Sequence, residues 1–279
     1  DGVDDVVLGA PGGDGGGGTD AGQVHVVYGG GLPASLDLSS AASDLTYYGE
    51  IAGDRLGENV LVYDSDGNGS EDLVMASPDS DSNYNSYVDG GEVWIVRQEN
   101  LVDGTTLFPF DVDNYINGAN QDDRLGTALA AGDVDGDGID DLILGVGLGD
   151  GSGNALADAG ELYVLDGADV VSQLQEVLLD LPEDYTAVIY GTEESDETGA
   201  SVAVGDVDGD GLGDVLVGVP GQDAPTGAGS RTDGGGAWLL YGRADFSTLD
   251  GETFDQAADH ALFGRGAGSA AGRSVAITD

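Results

Sequence analysis

The chain repeats itself, and the repeat restricts what it can fold into more than any other feature. One run reads Leu-Gly-Glu-Asn-Val-Leu-Val-Tyr-Asp at 56–64. It returns as Leu-Gly-Thr-Ala-Leu-Ala-Ala-Gly-Asp at 125–133, Thr-Gly-Ala-Ser-Val-Ala-Val-Gly-Asp at 198–206 and Ala-Gly-Arg-Ser-Val-Ala-Ile-Thr-Asp at 271–279. A Gly/Asp loop and a second apolar run follow, at 72–78, 141–147 and 214–220, with a further copy at 5–11. A third run lies at 23–28, 92–97, 161–166 and 236–241. A fourth ends in Tyr48-Gly49, Tyr190-Gly191 and Phe263-Gly264, with Asn117-Gly118 as the deviant copy. Each run is short, rich in β-branched and aromatic residues, and bounded by Gly, Asp or Pro, which reads as a strand. Four strands per repeat predict an all-β chain of four-stranded antiparallel blades, and blades packed radially form a β-propeller. A sandwich of this length needs no repeating unit. One short helix is expected across 170–180.

Such a unit needs a core, and 40% of the 279 residues are hydrophobic. The charge is the other extreme: 54 acidic residues against 7 Arg, with no Lys and no Cys, give a formal net charge of -47. No basic patch exists to neutralise phosphates, so nucleic acid is excluded as a partner. An anionic membrane surface would repel the chain, and no apolar run approaches the ~18 residues of a spanning helix. Schiff-base, thiolate and iron–sulfur chemistry are absent with Lys and Cys. Without disulfides, the chain calls for another staple. The excess Asp serves either solvation in a salty medium or cation binding.

The loop between first and second strands supplies that staple. It reads Asp133-Val-Asp135-Gly-Asp137-Gly-Ile139-Asp-Asp141 in one copy and Asp206-Val-Asp208-Gly-Asp210-Gly-Leu212-Gly-Asp214 in another. Carboxylates at positions 1, 3, 5 and 9, a carbonyl at 7, and Gly at 4 and 6 suit a hard cation that takes six or seven oxygens, Ca²⁺ rather than Mg²⁺. The copy Asp64-Ser-Asp66-Gly-Asn68-Gly-Ser70-Glu-Asp72 exchanges one carboxylate for an amide and should bind more weakly. It is no EF-hand: position 12 is Leu144, Val217 or Met75 inside a strand, where an EF-hand needs a bidentate Glu. Asp-Gly loops also occur as plain turns, but three at matching places in a repeat point to a cation. Carboxylates pinned on a cation are poor acids and bases.

With repeat, strand order and loop together, the chain resembles the FG-GAP repeat family, of which the integrin α propeller is the best-known member. The resemblance rests on Phe263-Gly264 and Gly9-Ala10-Pro11, on the variants Tyr48-Gly49, Tyr190-Gly191, Ala76-Ser77-Pro78 and Gly218-Val219-Pro220, and on the Asp-x-Asp-Gly-Asp-Gly-x-x-Asp loops. It implies an extracellular or cell-surface protein, structural Ca²⁺, and an adhesion-type partner docked on the face opposite the metals. Integrin-type propellers have seven blades, whereas this chain holds about four repeats, at 55–123, 124–196 and 197–269, with 270–279 plus 1–54 as the remaining one. The expectation is a single domain over 1–279. Its closed four-bladed ring would pair 271–279 with 5–11, and Asp279, Asp1, Val3 and Asp5 would complete a split metal loop. A piece of a seven-bladed propeller is the alternative.

Other features carry less. Gly13-Asp-Gly15-Gly-Gly-Gly18 imitates a dinucleotide motif, but a strand follows it where a helix is required. His25 aligns with Trp94, Tyr163 and Trp238 in the third strand, which points to packing. No Gly-x-Ser-x-Gly occurs, and the chain reads as a binding module for a protein or glycan rather than an enzyme. A spacer repeat or a carbohydrate-active hydrolase or lyase are the alternatives. The long loops between second and third strands emerge opposite the metal loops, and Tyr84, Tyr87 and Arg231 are their candidate contact residues.

Overall fold

The computed structural model describes residues 2–14, 16–30, 35–38, 43–81, 87–101, 105–106, 112–172, 176–180, 184–223 and 232–278. Four sheets follow one another along the chain. The first holds β1 (Val6–Ala10), β2 (Gln23–Val27) and β3 (Leu45–Tyr48), and the second holds β4 (Val60–Tyr63), β5 (Asp72–Ser77) and β6 (Glu92–Val96). A two-residue strand, β7 (Thr105–Thr106), adds parallel to β3, and β8 (Asn114–Asn117) completes the second sheet beside β6. The third sheet consists of β9 (Ala128–Gly132), β10 (Asp141–Val146) and β11 (Glu161–Leu165), then β13 (Ala187–Tyr190). The fourth consists of β14 (Ser201–Gly205), β15 (Asp214–Val219), β16 (Gly236–Leu240) and β17 (His260–Phe263). Within each repeat the pairing is antiparallel between neighbours, so the four runs of the sequence become four adjacent strands.

The core lies between consecutive sheets. Side chains alternate across a strand, and β10 sends Leu142 and Leu144 into a cluster with Val74, Ile95 and Ile116 of the second sheet. Its Ile143 joins a cluster with Val215, Val217 and Trp238 of the fourth. A third cluster, with Val24, Tyr47, Met75 and Trp94, joins the first and second sheets. Both faces of the inner strands are therefore buried, which is why they read as near-continuous apolar runs. His25, Trp94, Tyr163 and Trp238 occupy equivalent register positions opposite Leu8, Met75, Leu144 and Val217, and Trp94, Tyr163 and Trp238 each belong to a different cluster between sheets. His25 is buried too, with Nδ1 at 3.3 Å from Ser43 Oγ and Thr46 Oγ1.

Glycine pairs set the spacing at these junctions. A Cβ on Gly9, Gly145 or Gly218 would fall on the carbonyl oxygen of Gly57, Gly199 or Gly272, respectively. The Gly of each Leu-Gly, Thr-Gly or Ala-Gly pair thus sits on the Gly-Ala-Pro-type position of the preceding sheet, which explains why both recur.

Two expectations are corrected. The helix expected across 170–180 is α1 (Gly167–Ser172), shorter and earlier. Residues Glu176–Leu178 instead form β12, parallel to β8, because Val177 buries in the cluster with Ile116. A four-residue α2 (Phe254–Ala257) lies before β17. The pairing of 271–279 with 5–11 is not made among the described residues: β1 pairs with β2 alone, and 274–278 form no strand. Val6 and Leu8 of β1 are 38% and 42% exposed. Ala271 bridges to Gly235, as Thr198 does to Gly160, and Ile277 lies over Gly205 of β14. The segment therefore follows the fourth sheet as each earlier first strand follows its predecessor.

Candidate metal centre

The three Asp-Gly loops connect β4 to β5, β9 to β10 and β14 to β15 at one end of the sheets, and neighbouring loops touch. Ile139, at position 7, approaches Gly67 of the preceding loop, and Leu212 approaches Gly136. The Gly residues at positions 4 and 6 have φ of 68° and 86°, 84° and 91°, and 81° and 94° in the three copies, a left-handed turn that L side chains rarely adopt.

Position 1 organises each loop by accepting from backbone amides. Asp133 accepts from Gly136 and Gly138 at 2.6 and 3.1 Å, Asp206 from Gly209 and Gly211 at 2.6 and 3.0 Å, and Asp64 from Asn68 and Gly69 at 3.0 and 2.7 Å. The side chain at position 5 accepts from the amide at position 7: Asp137 from Ile139, Asp210 from Leu212 and Asn68 from Ser70. Position 9 ties the loop to the third strand's end. Asp141 accepts from Val134 and Gly167, Asp214 from Val207 and Gly242, and Asp72 from Ser65 and Gln98. Asp5 accepts in the same way from Gly29 at 2.8 Å, so it stands as a position 9.

The structure selects among the carboxylates of each loop. Ligand atoms of Asp64, Asp66 and Asp72 lie within 4.8 Å of one another, as do those of Asp133, Asp135 and Asp141, and of Asp206, Asp208 and Asp210. Positions 1, 3 and 9 gather in two loops and positions 1, 3 and 5 in the third. Asp137 and Asp214 stand outside these groups. Val3 is exposed, and Asp1 and Asp279 lie outside the described residues.

The donor set is all oxygen and doubly crowded. Burial pushes the Asp141 carboxyl up to about 7. Burial, then repulsion from Asp137, Asp166 and Asp133, raises Asp135. Carboxyls held close and partly dry in this way fit a divalent cation, whose charge favours their ionised form. Two neighbours lay beyond sequence reasoning. Asp166, at the end of β11, lines a small cavity with Asp135 and Asp141. Arg97, at the same place after β6, puts Nε at 3.6 Å from Asp66. Their position at the end of the third run was the only available signal.

At the opposite end, Tyr87 is described and half-buried, whereas Tyr84 and Arg231 lie outside the described residues. A depression of about 190 Å³ there is lined by Trp238, Phe263, Asp196, Gln222, Asp223 and Asp255. Back at the end of the Asp-Gly loops, His260 pairs with Tyr241, Nε2 to the phenol oxygen at 3.0 Å. No helix among the described residues is long and apolar enough to cross a membrane.

Antiparallel four-strand repeats stacked face to face, with an acidic loop between first and second strands, define an all-β repeat protein with carboxylate clusters at one end of its sheets. Two stretches of the chain, residues 125–165 and 198–240, match the FG-GAP repeat model. It is similar to Integrin alpha-PS2 of Drosophila melanogaster, 28% identical over 209 residues that make up 72% of this chain and 13% of that protein. It is also similar to Phosphatidylinositol-glycan-specific phospholipase D of Rattus norvegicus and of Bos taurus. These are 32% and 33% identical over 159 residues, 55% of this chain and 18% of each relative. The chain thus spans less than a fifth of the curated relatives it matches.

Proposed function

We propose that this chain is a Ca²⁺-stabilised extracellular binding module, without catalysis of its own, whose blades hold cations at one end and dock a protein or glycan at the other. The observation that carries the reading is the acidic loop at the same strand junction in three consecutive sheets, each with three carboxylates in reach of one ion. Asp133, Asp135 and Asp141 hold one cation, Asp206, Asp208 and Asp210 a second, and Asp64, Asp66 and Asp72 a weaker third. Asp137, Asn68 and Asp214 and the carbonyls of Ser70, Ile139 and Leu212 are the remaining oxygens that the sequence places along the loops. Bound Ca²⁺ supplies positive charge that joins strand to strand in place of a disulfide. The sheets are blades of a propeller, and the free edge of β1 suits a ring completed by further blades as well as one closed on four.

The partner face combines acidic loops with aromatic surface: Tyr87 and, at 39% exposure, Phe263 beside Asp223 and Asp255. Aromatic side chains stack on sugars and anchor protein contacts. The full chain, with Ca²⁺ present, should bind ligands on a glycan array or capture a protein ligand. Phe263→Ala and Tyr87→Ala should weaken that binding without changing Ca²⁺ affinity. Turnover of a bound glycan would replace this reading with the hydrolase or lyase. No binding in any format would leave the spacer.

A further inference from the structure

The end opposite the Asp-Gly loops carries a second repeated cluster of oxygens. Asp54, Asp123 and Asp196 stand two residues before Leu56, Leu125 and Thr198, at the entry to each first strand, and all three are buried. Each faces an Asp of the loop between second and third strands: Asp81, Asp150 and Asp223. Those partners are fixed by backbone. Asp81 accepts from the amide of Asp89 at 3.1 Å, Asp150 from Asp158 at 3.2 Å and Asp223 from Asp233 at 2.8 Å.

A third polar head completes each cluster, supplied by the third strand in the second and third sheets and by the preceding loop in the fourth. Glu92, at the start of β6, accepts from Ser80 Oγ at 2.8 Å. Glu161, at the start of β11, lies over Gly149, where a Cβ would meet its carboxyl carbon at 2.9 Å. In the fourth sheet the residues are exchanged: Gly236 takes the place of the Glu, and Gln222, in the place of Ser80 and Gly149, lays its Oε1 over Gly236. The site keeps an oxygen though the residue providing it changes.

Asp123 is 2% exposed, and neither of its carboxylate oxygens has a hydrogen-bond partner; the Asn120 amide lies beside it without reaching bonding geometry. Gln222 is 5% exposed, and its Oε1 is likewise buried and unpartnered. Unsatisfied buried oxygens of this kind are rare and costly. Of the nearby guanidinium groups, Arg55 and Arg124 both converge on Asp79, and neither reaches Asp123, although Arg124 Nε is itself buried without a partner. A proton would give a donor to one oxygen of Asp123 and leave the other bare, whereas a cation satisfies both.

We propose that each of these clusters, Asp123 with Asp150 and Glu161 above all, is a second divalent-cation site of the hard, oxygen-binding class, at the end of the sheet opposite the Asp-Gly loop. Burial pushes Asp54, Asp123 and Asp196 up to about 7, as expected for carboxyls that need a positive partner to ionise.

The test is Ca²⁺ stoichiometry of the full chain, by calorimetric titration and equilibrium dialysis at neutral pH. Asp123→Asn should lose one equivalent of bound Ca²⁺, Asp135→Ala should lose a different one, and the double variant both. Should Asp123→Asn not fold, Asp150→Asn, half-buried, carries the same expectation. Unchanged stoichiometry in a folded variant overturns the proposal. So does a melting temperature in EDTA that rises on acidification in the parent and not in Asp123→Asn while stoichiometry is unchanged, since protons then fill the site. Loss of a cation in Asp123→Asn but not in Asp135→Ala would refute the loop sites and leave this one standing.

Discussion

If the Asp-Gly loops hold cations as proposed, Arg97 should set their ranking as much as the Asn at position 5 does. Its guanidinium stands 3.6 Å from Asp66, where a cation would compete with it, and Asn68 already removes one negative charge from the same loop. Either Arg97→Gln or Asn68→Asp should raise Ca²⁺ affinity at 64–72 by a few-fold to about tenfold, because charge count tunes such sites. Asp135→Ala and Asp210→Ala should each abolish one tight site, and Asp137→Ala should cost less, since Asp137 stands outside the three-carboxylate group of its loop. Calorimetric titration of each variant checks the order, and equal losses for Asp135→Ala and Asp137→Ala would contradict it. His25 tests burial instead. Desolvation lowers its pKa below the ordinary 6.5, so the folded chain binds fewer protons than the unfolded one in the window beneath that value. Its contribution is complete above about pH 6.5 and is lost as pH falls through the lowered value. Asp54, Asp123, Asp141, Glu161 and Asp196, raised to about 7 by burial, act in the opposite direction in the same range, so the loss should be read as the difference between urea melts of the parent and of His25→Phe across a series of pH values.

At the scale of the element, the Gly-on-Gly contacts decide how closely one sheet approaches the next. Gly145→Ala or Gly218→Ala would drive a Cβ into a backbone carbonyl with no room to move, and should destabilise by about 1–3 kcal/mol, the usual range for overpacking. The second sheet has Ala76 at this position, facing Gly126, so Ala76→Gly should cost little more than chain entropy. Chemical melts monitored by the fluorescence of Trp94 and Trp238 report both, and Gly145→Ala at parental stability would remove the spacing argument. Strand identity was readable here because each apolar run is bounded by residues that stop it. The strand β12 was not, since Glu176–Leu178 carries no alternation of its own and is strand only through its pairing with β8.

For the whole molecule, a net charge of -47 means that every bound cation relieves repulsion over a distance set by salt. A ligand at a hundredfold excess over its Kd stabilises the native state by about 2.7 kcal/mol per site. For a domain of this size that corresponds to roughly 5–10 °C of melting temperature per site. EDTA at low salt should therefore lower the melting temperature by that amount for each tight site, with less effect at high salt, and Mg²⁺ should restore less than Ca²⁺. A melt insensitive to EDTA would remove cations from the account altogether.

The sequence by itself determined the recurring strands of the second, third and fourth sheets, their order within each repeat and the conformation of the acidic loops. These depend on local matters: side-chain alternation, and Gly at the two positions where φ must be positive. Tertiary structure fixed position 9 of each acidic loop, which is held by the amides of Gly167, Gly242 and Gln98 from beyond the third strand. It placed Arg97 against Asp66, gathered Asp54, Asp123 and Asp196 into buried clusters, and left β1 without the strand expected from 271–279. Each of these is a contact between residues far apart in the chain, and no local pattern encodes the distance between them.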